Sequence, residues 1–262
     1  MKSLFKIVGI GVLCALVYAG CKSEVKESVL TVGASPVPHA EILEFVKPTL
    51  AKEGIDLKII GYTDYITPNV ALDDGSIDAN YFQHIPYMNN QIKDRGYNIV
   101  SVGAVHVEPL LVFSSKLKSV NDIKQNGTIA IPNDPSNLAR SLILFHNAGL
   151  IKLKDIKNLA STEKDIVENP KNIKFRPVEA ALLPKLLKDA DIVVVNGNYA
   201  LQAGLTDPIL VEGKDSPYAN VVAVKKGNEN DPRIKALVKA LQSDAVRQFI
   251  KDKYKGLVVP AF

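Results

Sequence analysis

The amino-acid sequence predicts an α/β protein of two lobes joined by two crossing strands. Three observations lead there. Apolar runs of strand length alternate with segments carrying a helical apolar stripe, as in a parallel or mixed sheet covered by helices. Two extended stretches, Val105 to Phe113 and Asn220 to Val224, interrupt the alternation without helical periodicity. Two amphipathic segments follow the second stretch, so the first lobe is built from both ends of the chain.

The first twenty residues stand apart from that body. Lys2 and Lys6, an apolar run from Ile7 to Val17 and the small residues Ala19 and Gly20 form a secretory leader. The run falls short of the roughly 20 apolar residues that a membrane-spanning helix needs. Small residues directly before Cys21 resemble a bacterial lipobox, in which the cysteine is lipidated and becomes the mature N-terminus; Tyr18 stands where leucine is usual. Two acyl chains and a fatty amide on Cys21 would meet the requirement for stable anchoring. Cys14 leaves with the leader, so the folded body is expected to hold no thiol, disulfide or zinc–thiolate site. Residues 21–28 read as a short polar tether.

In the body, Val29 to Gly33 is a buried-strand pattern, followed by a helical stripe at Ile42, Phe45, Val46 and Leu50. Pro48 should kink that helix or mark a late turn. Leu57 to Ile60 is a strand, Pro68 to Leu72 a short helix, Ala79 to His84 a strand, Asn89 to Arg95 the end of the next helix, and Asn98 to Val102 a strand. After the first extended stretch come strands at Thr128 to Ile131, Ile173 to Arg176 and Asp191 to Val195. Helices follow each of them, at Pro135 to Ala148, Ala180 to Lys188 and Tyr199 to Ala203, and the C-terminal helices span Pro232 to Leu241 and Asp244 to Tyr254. The expected division is residues 29–104 with 222–262 in the first lobe and 105–221 in the second. The 262 residues, 47% of them apolar and 23% charged, leave room for one large or two small domains.

The formal net charge of +4 is carried by interspersed acids and bases, with no basic run and no basic–aromatic stripe, which argues against a nucleic-acid partner. Enzyme signatures are missing: no Gly-x-Ser-x-Gly elbow, no phosphate loop and no His-Glu-x-x-His, and the Gly-x-Gly at Gly9-Ile10-Gly11 lies in the leader. A binding role, not catalysis, is expected. The histidines His39, His84, His106 and His146 show no short metal-ligand spacing, so a metal-binding role would need them to converge from distant segments. A purely structural or adhesive surface role is a further class, poorly served by a convergent cleft.

Two stretches carry recognition chemistry. Ile77 to Met88 places three aromatic rings and an imidazole at a strand–helix junction. On a strand, Phe82 and His84 share one face, and Tyr81 and Gln83 the other. Pro86 fits the first turn of the following helix and brings Tyr87 beside the strand's C-terminal end, the edge at which open α/β sheets bind ligands. In Ile131 to Arg140, a strand leads through a turn into a helix capped by Asn133 or Asp134, with Pro135 at its first position. The N–H groups of Ser136 and Asn137 are then expected to be unpaired and able to accept an anion. Arg140 lies about one and a half turns in and slants back toward that end, where its fork would suit a carboxylate. Taken alone, it reads as a solvent-facing arginine on an amphipathic helix, since most arginines are exposed.

Longer motifs extend these two: Tyr62-Thr63-Asp64-Tyr65, Lys93-Asp94-Arg95-Gly96-Tyr97, Gly149-Leu150-Ile151-Lys152-Leu153-Lys154-Asp155, Val167-Glu168-Asn169-Pro170-Lys171-Asn172 and Ser216-Pro217-Tyr218-x-Asn220. With them, the chain resembles, over essentially its whole mature length, the NlpA-type methionine-binding lipoproteins, substrate-binding components of methionine ABC importers. The resemblance implies a periplasmic-binding-protein fold of the two-crossover kind (type II-like), with an amino acid enclosed between the lobes and no cofactor. It implies an aromatic thioether pocket at Tyr65, Phe82, His84 and Tyr87, a carboxylate ligand at Arg140, and polar head-group contacts at Asn137, Asn196 and Asn220. In Asn196-Gly197-Asn198-Tyr199, relatives often have Asn-Thr-Thr-Tyr, so either Asn196 or Asn198 could face the ligand. Glu108 could meet an ammonium or a peptide nitrogen, or serve as a rim or hinge residue. The implied role is a monomeric lipoprotein, anchored through Cys21 on the extracytoplasmic face of a membrane, that captures L-methionine and passes it to an ABC permease. A methionine-containing dipeptide or another amino acid is the alternative ligand.

Overall fold

A computed structural model describes residues 28–213 and 216–262. The leader, Cys21 and the tether up to residue 27 lie outside the described residues. The chain opens with β1 (Ser28–Ala34), α1 (Glu41–Lys52), β2 (Ile55–Gly61), α2 (Thr67–Asp74), β3 (Ala79–His84), α3 (Ile85–Arg95) and β4 (Ile99–Val107). It continues through β5 (Leu111–Phe113), β6 (Thr128–Pro132), α4 (Pro135–Asn147), β7 (Lys152–Leu153), β8 (Ile166–Glu168), β9 (Lys174–Val178), β10 (Ile192–Val195), α5 (Gly197–Gln202) and β11 (Leu210–Val211). It closes with β12 (Ala219–Lys225), α6 (Pro232–Leu241), α7 (Asp244–Tyr254) and β13 (Val259–Pro260).

The strands form two main sheets. One has the order β13-β4-β12-β3-β1-β2, the other β11-β5-β10-β6-β9, and β7 with β8 forms a small hairpin. Both sheets are mixed. Strands β2, β1 and β3 run parallel, as do β10, β6 and β9, whereas β12 is antiparallel to β3 and β4, and β5 is antiparallel to β10. The chain leaves the first sheet along β4 and returns along β12. These strands pair from Ile99 with Lys225 to Val107 with Ala219, so the two connections between lobes lie side by side.

Each lobe buries its own core. In the first, Leu30, Val32, Leu57, Tyr81 and Val222 of the sheet meet Ile42, Val46 and Leu50 of α1, with Leu237 of α6 and Ile250 of α7. In the second, the alternation of β10 serves two cores: Ile192 and Val194 pack with Leu142 and Phe145 of α4, and Val193 and Val195 pack with Leu183 and Tyr199 on the opposite face.

Three local expectations change. Helix α1 runs through Pro48, which is exposed, so the Glu44 carbonyl that the ring leaves without an amide partner is on the water-facing side. The segment expected as a helix from Ala180 to Lys188 is a 3₁₀ helix at Ala180–Leu186, with Pro184 inside it. The short strands β5, β7, β8, β11 and β13 have too few residues to register as periodic patterns. Among the described residues no helix is long and apolar enough to cross a membrane.

Candidate functional site

The cleft lies between the C-terminal end of β3 and the N-termini of α4 and α5. Tyr65, Phe82, His84, Tyr87, Asn137, Arg140, Asn196 and Asn220 all line it, joined by Gln83, Glu108, Gly197 and Asn198. All of the first eight except Tyr65 are buried.

One end is aromatic. The rings of Tyr65, Phe82 and Tyr87 form a triangle with centroids 5.8 to 6.1 Å apart. Tyr87 Oη donates to the Tyr65 carbonyl at 2.6 Å, which fixes the loop carrying Tyr65. The strict alternation expected along β3 is interrupted: Gln83 pairs with Val221 and Tyr81 with Val222, leaving Phe82 without a partner across the ladder. Such a bulge re-aims side chains beside binding sites. Tyr81 turns into the lobe core and hydrogen-bonds His106 Nδ1.

His84 does two things at once. It N-caps α3, its Nδ1 accepting the Tyr87 N–H at 3.1 Å. The proton therefore sits on Nε2, which donates across the cleft to Asn137 Oδ1 at 3.2 Å. Burial, reinforced by the Arg140 charge, lowers its pKa to about 3, so the ring is neutral.

The start of α4 differs from expectation. Asp134 is the cap, but it accepts the Asn137 N–H at 3.0 Å, the Ser136 hydroxyl at 2.9 Å and the Asn137 side-chain amide at 3.0 Å. The Asn137 N–H is thus not unpaired, because a carboxylate of the chain itself occupies the helix end. Asn137 Oδ1 also accepts from Asn196 Nδ2 at 3.0 Å. Asn137 is a hub that orients His84 and Asn196, with little capacity of its own left. Asn196 Oδ1 is buried and without a partner among the described residues, whereas Asn198 Oδ1 already accepts from Tyr65 at 2.5 Å.

Arg140 is buried rather than solvent-facing. Its Nε donates to Glu212 Oε1 at 2.8 Å, and its Nη2 donates to Glu212 Oε2 and, at 2.8 Å, to the Glu108 carbonyl. Its guanidinium lies over the Tyr218 ring, 4.2 Å from the centroid. The fork expected to be open to a carboxylate therefore has one edge taken by the chain.

Behind the cleft, at the crossing strands, His39, His106 and Glu108 bring their ligating atoms within 4.8 Å of one another. These histidines do converge from distant segments. Hydrogen bonds already account for the cluster: His106 Nε2 donates to Glu108 at 2.8 Å, and His39 Nε2 is 3.1 Å from Asn220 Oδ1. A ligating imidazole is normally oriented by an acceptor on its other nitrogen, and His39 Nδ1 has none among the described residues. The donor set suits a hydrogen-bonded carboxylate better than a metal. Burial holds His39 near a pKa of about 4 and His106 near about 3, and pushes the Glu108 carboxyl up. Gly197 packs against this carboxylate, since a Cβ there would stand 2.8 Å from Glu108 Cβ.

His39, His106, Gly197, Tyr218 and Glu212 are the site components that sequence reasoning missed. Tyr218 sits inside a quoted motif, and Gly197 marks a departure from one; the two histidines and Glu212 carry no local signal.

The family model described as NlpA lipoprotein matches residues 30–262. The D-methionine-binding lipoprotein MetQ of Salmonella typhi is 44% identical over 260 residues, covering 96% of this chain and 95% of that protein. The membrane lipoprotein TpN32 of Treponema pallidum is 42% identical, with 89% and 88% covered. Among solved structures, a nutrient-binding protein of Burkholderia cenocepacia bound to methionine superposes with a TM-score of 0.86 at 44% identity, covering 89% of this chain and all of that one (100%). The chain therefore belongs to the NlpA lipoprotein family.

Proposed function

We propose that this protein is the extracytoplasmic substrate-binding component of an ABC importer and that its ligand is methionine, L-methionine in the first instance. The observation that carries the reading is the pairing, within one cleft, of a three-ring aromatic chamber with a head-group end that offers both signs of partner. Thioether sulfur packs favourably on aromatic edges, at about 0.3–1.5 kcal/mol per contact, and the rings of Tyr65, Phe82 and Tyr87 supply those edges. Arg140 takes the carboxylate through its remaining Nη1 end, with the Asn220 side-chain amide as a second donor. The ammonium is met by Asn196 Oδ1 and the Glu108 carboxylate. Of the two candidates, Asn196 rather than Asn198 faces the ligand, because its oxygen is the one without a partner.

Residues 29–104 with 222–262 and residues 105–221 act as the two lobes, with β4 and β12 as the hinge. Ligand held by one lobe stabilises closure through contacts from the other. Removal of the leader and lipidation of Cys21 keep the monomer at the membrane, at high effective concentration near its permease. The relatives' names and the methionine-bound neighbour support the ligand, and the leader supports the location.

Calorimetric titration of protein refolded from denaturant, so that carried-over ligand is lost, tests the ligand. L-methionine, D-methionine, alanine and a methionine-containing dipeptide form the arms. Binding of methionine well above alanine is expected; no heat with either enantiomer overturns the reading.

A further inference from the structure

We propose that Glu212 is the positioning residue of the carboxylate subsite: it sets the angle at which Arg140 presents its guanidinium to the ligand. The inference rests on the reading of the cleft as an amino-acid site.

The geometry makes Glu212 a built part of the lobe. It follows β11, and its N–H donates to the Leu110 carbonyl at 2.9 Å while the Leu110 N–H donates back to Glu212 Oε2 at 3.1 Å. Backbone and side chain are thus tied to one residue beside the hinge. From there the carboxylate engages both Nε and Nη2 of Arg140, the side-on edge of the guanidinium. Tyr218 covers one face of the same group at 4.2 Å, and the Glu108 carbonyl takes a further Nη2 proton at 2.8 Å. A free arginine side chain samples many rotamers; here the head is held along one edge and one face before any ligand arrives. Only the Nη1 end has no partner among the described residues, and Arg140 lines the cleft.

Two consequences follow. The ligand carboxylate meets a preset donor end-on, in place of the bidentate fork. The Arg140–Glu212 pair is also close to neutral, so the subsite suits a carboxylate that arrives with its own ammonium better than a bare anion. Glu212 could instead act as an internal competitor that ligand must displace, and the two roles predict opposite effects of removing it.

The test titrates wild type, Glu212→Gln and Glu212→Asp with L-methionine and with methioninamide, which has no carboxylate, measured by competition where direct heat is too small. If Glu212 positions Arg140, Glu212→Gln weakens methionine at least tenfold and methioninamide less than twofold, so the preference for the acid collapses. Glu212→Asp keeps the charge and loses less. Equal weakening of both ligands would mean a general role in folding, and tighter methionine binding would mean competition; either overturns the proposal. Thermal melts check the fold, and Glu212→Asp carries the same comparison if the glutamine variant does not fold. Wild type that binds no methionine would sink the function itself, whereas wild type that binds with Glu212 variants unaffected would sink only this inference.

Discussion

His84 on the first lobe and Asn137 on the second meet across the cleft, Nε2 to Oδ1 at 3.2 Å, while the other nitrogen of the same imidazole caps the helix that carries Tyr87. One ring therefore ties a helix N-terminus, the aromatic chamber and the opposite lobe together.

Substituting His84 separates these roles. His84→Ala removes the cap, for which loss of a side-chain acceptor costs about 0.5–2 kcal/mol. His84→Asn retains a capping oxygen but cannot reach Asn137. Melting of the ligand-free protein should fall for alanine and be largely restored for asparagine, while methionine affinity stays reduced in both. Restored affinity with asparagine would show that the bridge does not matter.

Phe82→Ala opens the aromatic chamber. Truncation of a buried phenylalanine costs about 3–5 kcal/mol, so stability falls; the discriminating measurement is affinity. Methionine should weaken by more than tenfold and alanine by much less, because only the longer side chain reaches the rings. Parallel losses for both ligands would identify Phe82 as ordinary core.

Gly197→Ala places a methyl 2.8 Å from Glu108 Cβ and 2.9 Å from its Oε2. The Glu108 carboxylate is held by His106 Nε2 at 2.8 Å and its Cβ cannot rotate away, so the strain is of the order of 1–3 kcal/mol. Ligand affinity should drop with Glu108 displaced. Glu108→Gly, which removes the Cβ as well as the carboxylate, should therefore destabilise the Gly197→Ala chain less than it destabilises the wild type. Additive destabilisation in the double variant would contradict the contact.

Acid should destabilise the protein before its carboxylates titrate. Burial holds His39, His84 and His106 neutral, with pKa values of about 4, 3 and 3 against an ordinary 6.5. Below that ordinary value the unfolded chain binds more protons, so this contribution is complete above pH 6.5 and is lost as pH falls toward 4. Glu108 and Asp134 act in the opposite sense, since burial raises both, which favours the folded state at low pH, and that contribution is lost as pH rises. Three imidazoles against two carboxyl groups predict a net fall in melting temperature between pH 7 and pH 5 for the ligand-free protein. A flat profile would mean that the imidazoles are hydrated.

Much of the architecture was legible because periodicity is local. Strand and helix patterns give the two sheets, and Asn220 to Val224 betrays a crossing strand by its lack of helical spacing. The site was half legible for the same reason: Phe82, His84 and Tyr87 are neighbours in sequence, and Asp134, Asn137 and Arg140 fall on one helix start. Spacing could not show what meets those groups from elsewhere.

The longer strands and helices and the residue types available to grip an amino acid were legible in the sequence alone, since each follows from neighbours a few positions apart. Tertiary structure alone decided that Asp134 fills the helix end meant for an anion, that the Phe82 bulge breaks the alternation of β3, and that Glu212, 72 residues from Arg140, occupies one edge of its guanidinium. Those outcomes depend on which donors and acceptors find each other once the lobes are buried, and a buried polar group must be paired by whatever the fold brings near it.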